Sequence, residues 1–330
     1  MKLLTKTLLA LTLPTTIMYS KTTLNVYTYD AMTTSWGAGG EIKSDFEKHF
    51  PTCEVKYFSF PHSKTILTRA VLEGNKLKAH VLLGLDDFSI KEHREILTPH
   101  NVDLKKLSKN LNWNDKLFLP FDFGAFGFVY HTDKVKNPPK SLMGILESDL
   151  QIIYEDPRTS APGLGFLVWL NLALDDPKGA IKKLKPHTLT ITKGWSEAYS
   201  AFLNGSGDMV LSYITSPVYH AVFDNKHNFG SDILSEGILL SIESAALTKA
   251  ITKSPEIEAC AHNFVEHLLT PKVQKEVVLK NAAFSVVDTP THPDFDAVKK
   301  RVLSAKRLDS SKVTTSDLKR YVKEWQEAVR

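Results

Sequence analysis

The sequence predicts an α/β protein of two lobes with a ligand cleft between them. Three observations carry this. Residues 24–97 run through a β-α-β-α-β order of strand and helix patterns, which predicts a parallel sheet with helices on both faces. The stretch 117–130 (LFLPFDFGAFGFVY) is a long apolar strand region broken by Pro120, Gly124 and Gly127, which suits a crossing between lobes. A second strand and helix series follows, and 238–242 reads as a strand that can return to the first lobe. The expected division is 1–20 as a leader, 21–122 as the first part of lobe 1 and 123–237 as lobe 2. Residues 238–330 then return to lobe 1 and supply the C-terminal helices.

Length and composition permit this plan. The chain has 330 residues, 42% of them hydrophobic, enough for two cores. The net charge of +4 is scattered, without a block of like charges, so nothing asks for a nucleic-acid or membrane-surface partner. The two cysteines, Cys53 and Cys260, form no zinc or CxxC pattern; they can make one disulfide in an oxidising compartment if the fold brings them together. At the N-terminus, Lys2 and Lys6 precede a short apolar run, 8–17, and the small Ser20 precedes Lys21 as a cleavage point. The run is too short for a stable bilayer anchor, and no cysteine stands near for lipidation. The expectation is an exported chain, soluble after removal of the leader; an uncleaved anchor is the alternative.

The elements follow in order. Residues 24–29 (LNVYTY) alternate and are rich in β-branched and aromatic types, the first strand. A glycine-containing loop, 30–40, exposes Trp36, and 41–50 is a short amphipathic helix stopped by Pro51. Residues 54–60 read as a strand, 64–73 as a helix ended by Gly74-Asn75, 81–85 as a buried strand, and 90–97 as another helix. After the crossing come a short helix at 141–147 and a strand ending at Tyr154. Residues 162–174 form a helix apolar on nearly every face, hence sandwiched in a core. Strands are expected at 189–192 and 209–213, helices at 194–204, 255–269, 271–279 and 315–329.

The start of the apolar helix is a candidate site. Thr159 or Ser160 can cap it, Pro162 falls in the first turn, and Gly163 and Gly165 leave its backbone open. Free N–H groups, a positive dipole end and hydroxyls suit an anion, most naturally a phosphate; an ordinary capped helix is the alternative. In open α/β folds ligands sit beyond strand C-terminal ends. There the chain places Tyr29 and Asp30, Ser160, Trp195, Tyr213 and Tyr219, the last outside any clear element. Trp169, Trp113 and Trp325 read as packing residues, and His220 as structural or superficial.

These same segments carry a resemblance. LNVYTYD at 24–30 with Trp36-Gly37, LGLD at 83–86, LPFDFGAFGFVY at 119–130, YEDPRTSAPGLGFLVW at 154–169, TKGWSEAY at 192–199, LSYITSPVYH at 211–220 and SEG at 235–237 resemble the thiamine-binding periplasmic proteins of bacterial ABC transporters, in order and spacing. The similarity reaches EWQEAV at 324–329. It implies a two-lobed type II periplasmic binding fold and a periplasmic location. It implies thiamine, thiamine monophosphate or thiamine diphosphate as transported ligand, and delivery to a membrane permease with its ATPase. It implies no catalytic residues, cofactor or metal. Carried over residue by residue, it makes Trp36, Trp195 and Tyr219 an aromatic ring clamp, Tyr29 and Tyr213 further pocket positions, and Ser160 with Thr159 the phosphate contact. One departure is Pro61-His62-Ser63, where the family can place an acidic residue.

The chemistry agrees. Thiamine has a flat aminopyrimidine, a cationic thiazolium and an arm that can be phosphorylated. Aromatic faces suit the rings, and a cation over such a face gains about 0.5–2 kcal/mol. The aminopyrimidine edge needs polar partners, with Asp30 as first candidate and Asp122 as second. Two rival readings keep the fold. A thiaminase-like enzyme needs a thiolate and an acidic base in the cleft, and neither Cys53 nor Cys260 falls at a strand C-terminal end. A ferric or polyamine carrier needs adjacent tyrosines or several carboxylates, which the expected cleft does not offer.

Overall fold

The computed structural model describes residues 20–330; the leader assigned to 1–20 falls almost wholly outside them. Strand β1 (Thr22–Tyr29) runs into a one-turn helix α1 (Asp30–Thr33), and α2 (Gly39–His49) precedes β2 (Cys53–Phe60). Helix α3 (Ser63–Glu73) leads to β3 (Val81–Asp86). The three strands are parallel in the order β2-β1-β3, as the alternating pattern predicts. Every residue of β3 is buried, which is why VLLGLD reads as a continuous apolar run ending in one acid.

The helix expected at 90–97 is absent. That segment forms two 3-10 turns, Ser89–Lys91 and Arg94–Ile96, and a two-residue strand β4 (Leu97–Thr98). His93 between the turns has φ 55°, a left-handed backbone that no α-helix continues through. Arg94 is instead drawn to Asp115, with Nη1 and Nη2 at 2.8 and 3.0 Å from its two carboxylate oxygens.

Strand β5 (Phe118–His131) is the long crossing element. Residues 118–125 pair with the returning strand β10 (Leu240–Thr248), and 126–130 pair with β8 (Met209–Tyr213). Beyond it lie α4 (Leu142–Leu146), β6 (Ile152–Glu155), α5 (Ala161–Ala173), α6 (Pro177–Leu184), β7 (Thr188–Thr192) and α7 (Trp195–Leu203). Helix α8 (Ser216–Phe223) and β9 (Phe229–Ser231) follow β8. The strand order is β2-β1-β3-β10-β5-β8-β6-β7. β10 is antiparallel to both β3 and β5, so the first sheet is mixed rather than purely parallel.

Two large hydrophobic cores flank the crossing. One gathers β1, β3, α2 and α9 (Pro255–His267) with α10 (Pro271–Lys280); the other gathers α5, β6 and α6. Helix α5 is buried from Ala161 to Leu170, as its all-round apolar sequence requires. Strand β11 (Phe284–Ser285) pairs with β5, and α11 (Pro293–Ser304) follows. The last helix, α12 (Thr315–Val329), packs on α5 and α6, not on the first core. Its Trp325 indole donates to the Tyr154 hydroxyl at 3.1 Å, and Trp169 donates to the Gly237 carbonyl at 3.0 Å, so both are packing residues. Trp113 is half-buried and donates to the Phe118 carbonyl at 2.8 Å.

Cys53, opening β2, and Cys260, inside α9, are joined in a disulfide with Cα atoms 5.9 Å apart. On the same face, Asp45 of α2 accepts from His267 Nε2 at 3.0 Å and from the Lys272 ammonium, so α2, α9 and α10 are locked together. Among the described residues no helix is long and apolar enough to cross a membrane.

Candidate functional site

A cavity of about 420 Å³ opens where the C-terminal ends of β1, β3, β6 and β8 meet β5 and β10. Seven of the eight residues singled out in the sequence line it: Tyr29, Asp30, Trp36, Ser160, Trp195, Tyr213 and Tyr219. Thr159 does not. Its Oγ1 donates to the Lys193 carbonyl at 2.7 Å, which turns the hydroxyl towards the β7–α7 loop.

One wall is a stack of rings. Trp195 opens α7, and its ring lies 4.9 Å from Tyr199 at an interplanar angle of 16°. The Trp195 Nε1 donates to Ser212 Oγ at 2.9 Å, which fixes the indole plane. Tyr199 in turn stacks on His220 at 8° and shares a 3.0 Å hydrogen bond between its hydroxyl and His220 Nε2. His220 Nδ1 is 2.6 Å from Asp224 Oδ2. His220 is therefore buried rather than superficial; it holds the Tyr199 ring in place and reaches the cavity lining, so of the two readings the structural one stands. Tyr219 sits on α8, a regular helix, contrary to its expected place outside any element; Pro217 in the first turn starts the helix instead of ending it. Trp36, 44% exposed, stands at the mouth.

The opposite wall rests on Tyr29. Its ring lies so close over β3 that a Cβ at Gly84 would come within 2.3 Å of it, and Gly84 has φ +91°, so only glycine serves there. The Tyr29 hydroxyl donates to Glu243 Oε2 at 2.8 Å and lies 3.1 Å from Asn281 Oδ1. Asn281 Nδ2 donates to Asp122 Oδ2. Ala282, just beyond α10, holds φ 50°, a strained backbone beside the cavity wall.

The floor is acidic. Asp86, Asp122 and Glu243 all line it, from β3, β5 and β10. Burial first, then the neighbouring Glu243 charge, hold the Asp122 carboxyl well above the usual carboxylate range. Burial likewise raises Glu243 to about 7. Burial and then the charge of Glu243 push the Tyr29 and Tyr213 hydroxyls far up, so both stay protonated donors. Sequence reasoning gave Asp122 only second place, missed Glu243, Asp86, Asn281 and Tyr199, and expected too few carboxylates for a polyamine carrier, whereas the cavity holds several. The available signal was a lone charged residue within a largely buried strand (LSIESAALT) and another closing VLLGLD.

At the other end, Ser160 caps α5, its Oγ accepting from Gly163 N–H at 3.4 Å. Ala161 and Pro162 of the first turn also line the cavity, so the helix N-terminus faces it. Two contacts join the walls: Ser196 Oγ lies 3.5 Å from Asp30 Oδ1, and Lys64 Nζ donates to the Pro157 carbonyl at 3.1 Å. The site thus offers aromatic faces, an acidic floor and a helix dipole end to one enclosed small molecule.

A model of the bacterial extracellular solute-binding protein family matches residues 33–275. The chain belongs to this family. Among solute-binding proteins it is 41% identical to the thiamine-binding periplasmic protein of Haemophilus influenzae over 333 residues, spanning 99% of this chain and 98% of that one. It is 37% identical to the thiamine-binding periplasmic protein of Escherichia coli, with 99% of both chains covered. A solved periplasmic thiamin binding protein superposes with a TM-score of 0.84 at 36% identity, over 94% of this chain and 97% of that one. The type II fold expected from the sequence is thus the observed one.

Proposed function

We propose that this solute-binding protein captures thiamine or its mono- or diphosphate in the periplasm and hands it to the permease and ATPase of an ABC importer. The observation that carries the reading is the convergence of Trp36, Trp195, Tyr219, Tyr29 and Tyr213 on one cavity, with carboxylates at one end and the Ser160 helix start at the other. Flat rings stack on the aromatic faces, the thiazolium charge is attracted to them and to the floor, and a phosphate meets the first turn of α5. The names of the curated relatives support the same ligand and compartment.

The lobe boundaries near 122 and 238 are read here as a hinge. β5 and β10 are the strands that pass between the two bodies, and rotation about them would close the walls on the ligand. The Ser196–Asp30 and Lys64–Pro157 contacts belong to that closed form. The protein is read as a carrier without catalysis. Both cysteines of the chain are consumed in the disulfide and neither lines the cavity, so the thiolate of a thiaminase-like reaction has no source.

Titration of the purified protein with thiamine, its monophosphate and its diphosphate, read by tryptophan fluorescence, tests the reading. Saturable binding of at least one form, unaffected by excess spermidine or ferric citrate, is expected. Failure of all three forms to bind, or displacement by the polyamine, contradicts it.

A further inference from the structure

Away from the cavity, three metal-ligating side chains meet where α2, α9 and α10 are locked together. Asp45 and His49 stand four residues apart on α2, and so on one face of that helix. His267 comes from the last turn of α9, on the face that carries Cys260 of the disulfide two turns earlier. One ligand atom from each of the three lies within 4.8 Å of the other two. Asp45 Oδ2 is 3.0 Å from His267 Nε2 and 3.7 Å from His49 Nδ1. Ligand atoms around a tetrahedral zinc ion, each about 2.0–2.1 Å from it, stand about 3.3 Å from one another. The two observed distances bracket that spacing, so small side-chain rotations bring the set onto one ion.

The donor set is that of a transition-metal site. Two imidazoles and one carboxylate suit zinc and its first-row neighbours, whereas calcium and magnesium prefer oxygen ligands throughout. Three protein ligands leave a fourth position for water. A second depression, of about 430 Å³, has His267 in its wall beside Phe50, Asn263 and Glu266 and gives that water room. Asp45 and His267 are buried, at 6% exposure each, while His49 is exposed. An ion held there rests against the core on one side and enters past His49 on the other.

One cation already stands near. The Lys272 ammonium bonds Asp45 Oδ1 and leaves Oδ2 to the two histidines. Lys272 is 64% exposed, and its charge is also attracted by Glu276, one turn further along α10, and by Glu41, so it has other places to go. His49 Nδ1 lies 2.8 Å from the Asp45 carbonyl. That carbonyl also receives the helix N–H four residues on, so it is not orphaned when the ring turns to an ion. We propose that Asp45, His49 and His267 form a binding site for one first-row divalent cation such as zinc, separate from the solute cavity, which none of the three lines. Each imidazole binds as the neutral ring through one nitrogen and keeps its single proton on the other, and Lys272 leaves as the ammonium. The bound ion bridges α2 to α9, the helix that the Cys53–Cys260 bond already ties, and stabilises the folded chain by mass action.

The test is calorimetry of the untagged mature protein, first stripped with a chelator, titrated with zinc and in parallel with calcium and magnesium. Zinc is expected to bind at one equivalent, with a dissociation constant in the micromolar range or below, and to raise the melting temperature; calcium and magnesium should do neither. His49→Ala removes an exposed ligand and spares the core, so it should fold as the wild type by circular dichroism. It should bind zinc weaker by roughly tenfold or more and lose the thermal shift. Lys272→Ala should bind zinc more tightly, because a competing cation is gone; a cluster that serves only as an ion pair predicts lower stability there and no gain in affinity. Absence of saturable zinc binding by the wild type overturns the proposal. So does zinc binding equally tight in His49→Ala, which would place the ion on other histidines, or weaker binding in Lys272→Ala.

Discussion

Replacing Trp195 by Ala removes the ring that forms one face of the proposed clamp, and the structure says how much should be lost. The indole is held between Tyr199, at 4.9 Å, and the cavity, and its plane is fixed by the 2.9 Å bond to Ser212 Oγ. Only the cavity face is available to a ligand. Loss of one stacking face, with the cation–π attraction it carries, is worth about 1–3 kcal/mol, so thiamine affinity should fall by roughly fivefold to 150-fold. Trp195→Phe keeps a ring but not the Ser212 bond, and should fall by less than tenfold. Binding is read by calorimetry, since the variant removes a fluorescent reporter, and far-UV circular dichroism checks the fold. The reasoning fails if Trp195→Ala binds thiamine as tightly as the wild type while Trp36→Ala and Tyr219→Ala do too.

Other outcomes follow from the same geometry. Ser160→Ala should weaken the phosphorylated forms more than free thiamine, measured as three dissociation constants side by side; equal loss across the three would remove Ser160 as a phosphate contact. Glu155 is fully buried with neither carboxylate oxygen hydrogen-bonded, and burial raises it to about 8. The unfolded chain ionises this group near the usual 4.5 while the folded one keeps the proton, so stability falls as pH rises from there to about 8, by at most about 1.4 kcal/mol per unit. Glu155→Gln should flatten that slope in denaturant titrations at pH 5, 6.5 and 8, and an unchanged slope would assign it elsewhere. Reducing the Cys53–Cys260 bond, which closes a separation of 207 residues, should cost up to about 5 kcal/mol and lower the melting temperature; a melting curve unmoved by reductant would contradict this.

The parts of the fold set by local pattern were legible. β1, β3 and α5 announce themselves by alternation, a continuous apolar run and an all-round apolar helix, each a direct consequence of which faces are buried. The 90–97 segment was misread because IKEHREIL has helix-forming residues throughout, and only tertiary attraction of Arg94 to Asp115 and the left-handed His93 overrule them. The aromatic members of the site were legible because their positions after predicted strands coincide with the ring clamp that the family resemblance implies; position alone left packing open for Trp195 and Tyr213. The acidic floor was not, because Asp86, Glu243 and Asp122 lie on three strands far apart in sequence, and their row exists only through long-range register. Thr159 and Ser160 are indistinguishable as caps in sequence; the direction of the turn alone decides that Ser160 faces the cavity.

The central claim is that the cavity is built for thiamine or one of its phosphates. Native mass spectrometry of the protein prepared from periplasmic extract, without dialysis, tests it most directly. The account predicts a one-to-one adduct whose mass equals thiamine, its monophosphate or its diphosphate, released on denaturation. An adduct of any other mass that thiamine fails to displace would contradict it.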